Sequence, residues 1–166
     1  MPIVAKVLKL ICYIPEAFVV GLACLTFVGI RPVMKRMALF GVVYGCSIFL
    51  FRDLLLPWLG LPLGIHTVIL FMINALLLGL FFGLNLPGSV ICAFLYFLVL
   101  LIAEPLAAIP FKLAGVPMTD ILASIWLSTL YNCLSLSLVL VVICPFKKKD
   151  FTLLPITKLI RDERDG

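Results

Sequence analysis

The chain has 166 residues, 64% hydrophobic and 13% charged, with a mean hydropathy of +1.30. Soluble domains average roughly 45–50% apolar and 25% charged residues, so this composition excludes a soluble domain and predicts an integral membrane protein. The formal net charge of +5 does not indicate nucleic-acid binding. The basic residues lie beside hydrophobic segments, where they set orientation and attract anionic membrane lipids.

Five hydrophobic segments account for most of the chain. A helix needs about 20 mostly apolar residues to cross a bilayer, and five runs approach or exceed that length. They cover residues 10–30, 37–51, 64–82, 88–108 and 121–144. The second run is short, so we expect its end near Arg52 to tilt or to reach toward the interface. The predicted fold is an all-α, polytopic membrane bundle over residues 1–149, followed by a short cytoplasmic tail at 150–166.

The distribution of basic residues predicts the orientation in the cell membrane. One basic cluster follows the first segment and another follows the fifth, and four crossings separate them. The clusters are Arg31, Lys35 and Arg36, and Lys147, Lys148 and Lys149. Because short cytoplasmic loops retain positive charge, we expect the amino terminus outside and the carboxyl terminus inside. Lys6 and Lys9 oppose this orientation.

Ionisable residues recur, in chain order, near the outer ends of the predicted helices. These predicted ligand-binding residues are Glu16, Arg52, Asp53, His66 and Glu104. Polar groups in a membrane are costly and usually face protein or a water-filled cavity, so their convergence predicts an outward-facing pocket with both signs of charge. The alternative is that these side chains only reach lipid head groups and water.

The same residues do not predict catalysis. A membrane Cys/His peptidase would need Cys46 beside His66, but Cys46 should lie deeper in the second helix. The six cysteines form no Cys-x-x-Cys pair, so no metal site or cofactor is predicted. We therefore predict that the chain is not an enzyme.

Small and polar residues predict helix packing. Gly41 and Gly45 are four apart on the second helix, and so are Gly79 and Gly83 on the third. Such spacing allows helices to approach closely, within one chain or in a homodimer. Polar stripes are also interpreted as packing contacts rather than as a substrate path. They consist of Thr67 and Asn74, and of Ser124, Ser128, Asn132 and Ser135.

Two proline- and glycine-rich stretches interrupt the helices. Residues 54–63 are predicted to form an interfacial cap over the pocket. Residues 107–118 are predicted to form a second cap or a partial re-entrant turn, although a sixth crossing there remains an open alternative.

Residues 61–67, with the sequence Leu-Pro-Leu-Gly-Ile-His-Thr, open the third helix after an Arg-Asp step. This layout resembles the membrane-embedded sensor region of certain Gram-positive bacterial histidine kinases. The resemblance implies a dimeric domain that perceives a peptide, lipid or envelope signal. After Lys149 the chain has no phospho-accepting histidine and no nucleotide-binding module, since His66 is its sole histidine. We therefore expect a stand-alone sensor-like domain that acts with a kinase or another membrane protein.

Two other functions are compatible with the sequence. One is a small transport component, such as the substrate-binding subunit of an energy-coupling transporter, although such subunits usually have six helices. The other is a structural assembly protein in which Glu16 and Glu104 would matter little.

Overall fold

A computed structural model describes residues 3–55 and 63–149, and all regular structure in these ranges is helical. The helices are α1 (Ile3–Phe27), α2 (Met34–Phe49), α3 (Leu63–Phe82), α4 (Leu86–Leu113), α5 (Met118–Ala123) and α6 (Ile125–Lys149). A π-helical segment, Leu50–Leu55, continues α2. Five of the described helices are long and apolar enough to cross a membrane, counting α2 together with this segment. The predicted five-helix, all-α membrane bundle is confirmed.

The first two helices are longer than predicted. Helix α1 begins at Ile3, seven residues before the predicted start at residue 10. Lys9, the charged residue just before that predicted start, lies inside the helix. The Lys9 ammonium lies 2.7 Å from the Asp53 carboxylate. The second span reaches from Met34 to Leu55, 22 residues, because the π-helical segment carries Arg52 and Asp53 within the same crossing.

The predicted second cap is mostly the end of a helix. Helix α4 has 28 residues and contains both Pro105 and Pro110. Each proline removes one backbone hydrogen bond, but a helix still satisfies the remaining backbone groups in a membrane, so the helix continues to Leu113. The prediction of a re-entrant turn at 107–118 is therefore wrong. The described ranges contain no sixth helix of spanning length. Most of the predicted 54–63 cap and the whole 150–166 tail lie outside the described residues.

Helix α1 lies at the centre of the bundle. It packs most extensively on α2 and also contacts α4 and α6, while α3 packs against α2 and α4. The main core consists of aromatic and aliphatic side chains from α1 to α4, among them Leu25, Phe40, Tyr44 and Tyr96. The α1–α2 and α3–α4 connections lie at one end of the bundle, here called the turn end. The opposite end is called the groove end.

The two glycine pairs have different roles. A Cβ at Gly45 would lie 2.9 Å from the Ile14 backbone, and one at Gly41 would lie 3.0 Å from Phe18 Cβ. This pair therefore brings α1 and α2 of one chain together. At the other pair, Gly79 faces Ser89, whereas Gly83 follows the last residue of α3 with φ +66°. Gly83 ends the helix rather than forming the predicted packing face.

Candidate functional site

A groove of about 340 Å³ opens at the groove end of the bundle. Four of the five predicted ligand-binding residues line it, and each comes from a different element. Glu16 belongs to α1, Arg52 to the π-helical segment, His66 to α3 and Glu104 to α4. The remaining lining residues are Tyr44, Ile48, Thr67, Leu70, Tyr96, Phe97, Leu100 and Leu101.

The groove runs from the membrane interface toward the middle of the bundle. At 1.5 Å per residue, Tyr44, Tyr96 and Glu16 lie about 15–17 Å from the turn end of their helices. By the same measure His66 and Glu104 lie about 24–27 Å from that end. Glu16 is therefore deeper than predicted, because α1 starts earlier than the sequence indicated. The groove has a mouth with Arg52, His66 and Glu104, and a floor with Glu16 and the two tyrosines.

The charges in the groove are only partly compensated. The Glu16 carboxylate accepts a 3.3 Å hydrogen bond from the Asn132 side-chain amide. It lies within electrostatic range of the attractive Arg52 guanidinium and of the repulsive Glu104 carboxylate. The Glu104 side chain is exposed and makes no hydrogen bond or salt bridge within residues 3–55 and 63–149. Two carboxylates thus share one guanidinium.

The fifth predicted residue, Asp53, lies outside the groove. Its carboxylate contacts Lys9 Nζ at 2.7 Å and accepts a 2.9 Å hydrogen bond from the Tyr13 hydroxyl. The neighbouring Arg52 guanidinium carbon lies 5.9 Å from the centre of the Tyr13 ring. The Lys9–Asp53–Tyr13 cluster therefore fixes the π-helical segment to α1. This attachment positions Arg52 at the groove mouth.

Two polar groups along the groove have unused hydrogen-bonding capacity. His66 Nε2 lies 3.4 Å from the Thr67 hydroxyl, while its buried Nδ1 has no partner among the described residues. The Tyr96 side chain is 1% exposed, and its hydroxyl likewise has no partner in the described ranges. Both groups can donate or accept a hydrogen bond to a molecule in the groove.

The groove opens sideways onto the apolar surface of the bundle. Its α4 wall includes Leu101, which is 70% exposed, and the next residue, Ile102, is also exposed. Apolar side chains on the outer face of a membrane helix face lipid. A molecule dissolved in the bilayer can therefore approach the groove beside Leu101 on α4.

A smaller cavity of about 110 Å³ lies on the other side of Glu16. Arg52 lines both cavities, and Asn132, which bonds Glu16, lines the smaller one. The other polar residues of the smaller cavity are Lys9, Cys12, Tyr13, Ser128 and Thr129. The hydrogen bond between Asn132 and Glu16 therefore separates two polar spaces.

The structure does not bring Cys46 beside His66. Cys46 is exposed on α2 and is not a lining residue of the groove. Nowhere in the part of the chain that the structure describes do three His, Cys, Asp or Glu side chains form a group able to hold a metal ion.

Sequence reasoning missed the tyrosines and the role of Asn132. Tyr13, Tyr44 and Tyr96 lie within long apolar runs, where a phenol is easily taken for a core aromatic. The sequence places Asn132 in a packing stripe, and Asn132 does link two helices, but its partner is a groove carboxylate.

Comparisons of the chain with protein-family models, curated proteins and solved structures find no match.

Proposed function

We propose that this chain is a non-enzymatic membrane sensor or regulator that binds a small molecule in the groove. The observation that carries the proposal is that four ionisable side chains from four elements line one groove inside a membrane bundle. A carboxylate at the depth of Glu16 is costly in a membrane, and a purely structural bundle has no need to gather it with Arg52, His66 and Glu104 around open space. A binding site gives this arrangement a use.

The contacts of α6 provide a route from the groove to the opposite membrane face. Asn132 of α6 bonds Glu16, and the neighbouring Tyr131 hydroxyl donates a 2.9 Å hydrogen bond to the Glu104 carbonyl. A ligand that changes the charge pairing around either glutamate alters the restraints on α6. The far end of α6, near Lys149, then reports this change to a partner. In the predicted orientation the groove faces outside and Lys149 faces the cytoplasm.

The resemblance to kinase sensor regions supports the same function. The resembling segment, residues 61–67, ends with His66 and Thr67, and both of these residues line the groove. In this proposal the partner is a kinase or another membrane protein, and the chain acts as a homodimer.

Native mass spectrometry of protein released gently from its host membrane tests the proposal. We expect the wild-type chain to retain a small molecule and a combined variant, Glu16→Gln, His66→Gln and Glu104→Gln, to lose it. Asp120→Asn removes an exposed carboxylate outside the groove and should retain it. A bound kinase would support sensing. An ATPase in the complex would instead indicate a transport component, and equal retention by the combined variant would overturn the groove as the binding site.

A further inference from the structure

We propose that the groove binds the ammonium group of an amphiphile that enters from the bilayer. This inference rests on the proposed binding function and names its ligand class. The ammonium lies between the Glu104 and Glu16 carboxylates, and the apolar chain leaves through the opening beside Leu101.

The charge balance of the groove favours a cation. Glu16 and Glu104 repel each other when both are ionised, and among the described residues Arg52 is the guanidinium that attracts both. That guanidinium also lies over the Tyr13 ring, outside the groove floor. A bound ammonium removes the repulsion and supplies the Glu104 carboxylate with a partner that it does not have among the described residues. Charge-assisted hydrogen bonds of this kind are stronger than neutral ones.

The aromatic lining also suits an ammonium. The Tyr44 and Tyr96 rings meet edge to face with their centres 5.3 Å apart, and Phe97 completes an aromatic wall. Ammonium groups are attracted to the faces of aromatic rings, and this attraction increases when water is excluded. The buried Tyr96 hydroxyl, which has no partner in the described ranges, offers an additional acceptor.

The lateral opening favours an amphiphile over a water-soluble amine. Leu100 and Leu101 are apolar lining residues beside Glu104, and Leu101 is 70% exposed on the lipid-facing surface. Glu104 lies about 27 Å along α4 from Leu86, close to the roughly 30 Å thickness of a hydrocarbon core. An amphiphile in the bilayer therefore already holds its head group at the depth of Glu104.

Titration of the purified chain in a neutral maltoside detergent tests the ligand class. The probes are dodecylamine, dodecanol and dodecanoic acid, which share a chain length and differ in head-group charge. We expect one dodecylamine per chain by native mass spectrometry, with a raised thermal unfolding midpoint. Glu104→Gln should weaken binding about tenfold or more, since it removes a charged hydrogen-bond partner. Asp120→Asn should bind like the wild-type chain.

A second variant keeps the test independent of the charge change. Leu101→Trp narrows the opening without altering any ionisable group, so it should also weaken dodecylamine binding. Equal binding of dodecanol, or dodecylamine binding unchanged in both Glu104→Gln and Leu101→Trp, would overturn the proposal.

Competition distinguishes the two sources of such a head group. If phosphatidylethanolamine displaces dodecylamine and phosphatidylglycerol does not, the ligand class includes membrane aminophospholipids. If neither lipid displaces it, the class is restricted to free amphiphilic amines. Both results retain the ammonium assignment.

Other results separate this inference from the proposed function. Binding of dodecanoic acid that is lost in Arg52→Gln would keep the groove as a binding site and overturn the ammonium assignment. Dodecylamine binding in the groove without any movement of α6 would support the assignment and contradict sensing.

Discussion

Asn132 on α6 donates a hydrogen bond to Glu16 on α1 at 3.3 Å, across 116 positions of the chain. Interhelical hydrogen bonds in membranes contribute only about 0.6–1 kcal/mol each, so this contact adds little to stability. Its importance lies in its position between the groove and the smaller cavity. A bond this weak can be exchanged when a ligand changes the charge near Glu16.

Loss of this bond should change the position of α6. We expect Asn132→Leu to shift or broaden the distance distribution between spin labels on Cys46 and Cys144, which are exposed on α2 and α6. The measurement is double electron–electron resonance in a background that replaces the other four cysteines, Cys12, Cys24, Cys92 and Cys133, with alanine.

Ser137→Ala provides the matched control for this change. Within the described ranges the Ser137 hydroxyl bonds to the Cys133 carbonyl of its own helix and to no other helix, so its removal should leave the distances unchanged. Identical distributions for Asn132→Leu and the parent chain would contradict the proposed coupling between the groove and α6.

The ion pair between Lys9 and Asp53 should couple α1 to the π-helical segment. In a double-mutant cycle with Lys9→Met and Asp53→Asn, we expect a coupling of about 1 kcal/mol in the free energy of unfolding. The 2.7 Å contact is partly buried and is supported by the Tyr13 hydroxyl, which favours the upper part of the range for surface pairs. Chemical unfolding in detergent provides the measurement.

The same cycle with Lys6→Met in place of Lys9→Met serves as the control. Lys6 forms no salt bridge within the described ranges, so its coupling to Asp53 should be close to zero. Equal couplings for the two lysines would show that general charge attraction, rather than the contact, holds the segment to α1.

Hydropathy predicts the number of crossings well because the cost of unsatisfied backbone groups in lipid leaves few alternatives to a helix. The same physics explains the errors at the helix ends. The predicted segments begin after Lys9 and end at Ala108, but a tertiary ion pair retains Lys9 within α1, and α4 continues through Pro110 to Leu113. The position of Lys9 cannot be inferred from local sequence, because it depends on a contact between α1 and a segment distant along the chain. The continuation of α4 reflects the backbone hydrogen bonding that a membrane requires.

The candidate site was predicted in part for a related reason. Arg52, His66 and Glu104 lie near the groove end of elements that pass through the same interface, so topology alone brings them together. The sequence predicts Asp53 at the same site because it follows Arg52. Adjacent residues on a helix point in different directions, and Asp53 faces Lys9 instead of the groove. The sequence does not specify which of two adjacent charges faces a cavity.

Close packing of α1 on α2 should make Gly45 intolerant of a side chain. We expect Gly45→Ala to destabilise the chain by about 1–3 kcal/mol, because the new Cβ would meet the Ile14 backbone at 2.9 Å and backbone atoms cannot rotate away. The comparison variant is Gly79→Ala, whose Cβ would meet the Ser89 hydroxyl at 3.0 Å. That hydroxyl can rotate, and alanine favours helix, so its effect should be near zero. Equal losses in thermal unfolding would argue against close packing at Gly45.

Asn74 should reduce stability in the native chain. It is 0% exposed on α3, and neither atom of its amide has a hydrogen-bond partner in the described ranges. A buried polar group without a partner costs about 1–3 kcal/mol, whereas an apolar residue of similar size avoids that cost. We therefore expect Asn74→Leu to raise the free energy of unfolding by about 1 kcal/mol.

The comparison variant is Asn85→Ala. It should lower the free energy of unfolding by a similar amount, because the Asn85 side chain accepts a hydrogen bond from the Gly88 backbone N–H at the start of α4. The opposite signs distinguish an amide with a partner from one without. A loss of stability in Asn74→Leu would instead mean that the buried Asn74 amide is hydrogen-bonded inside the bundle in the membrane.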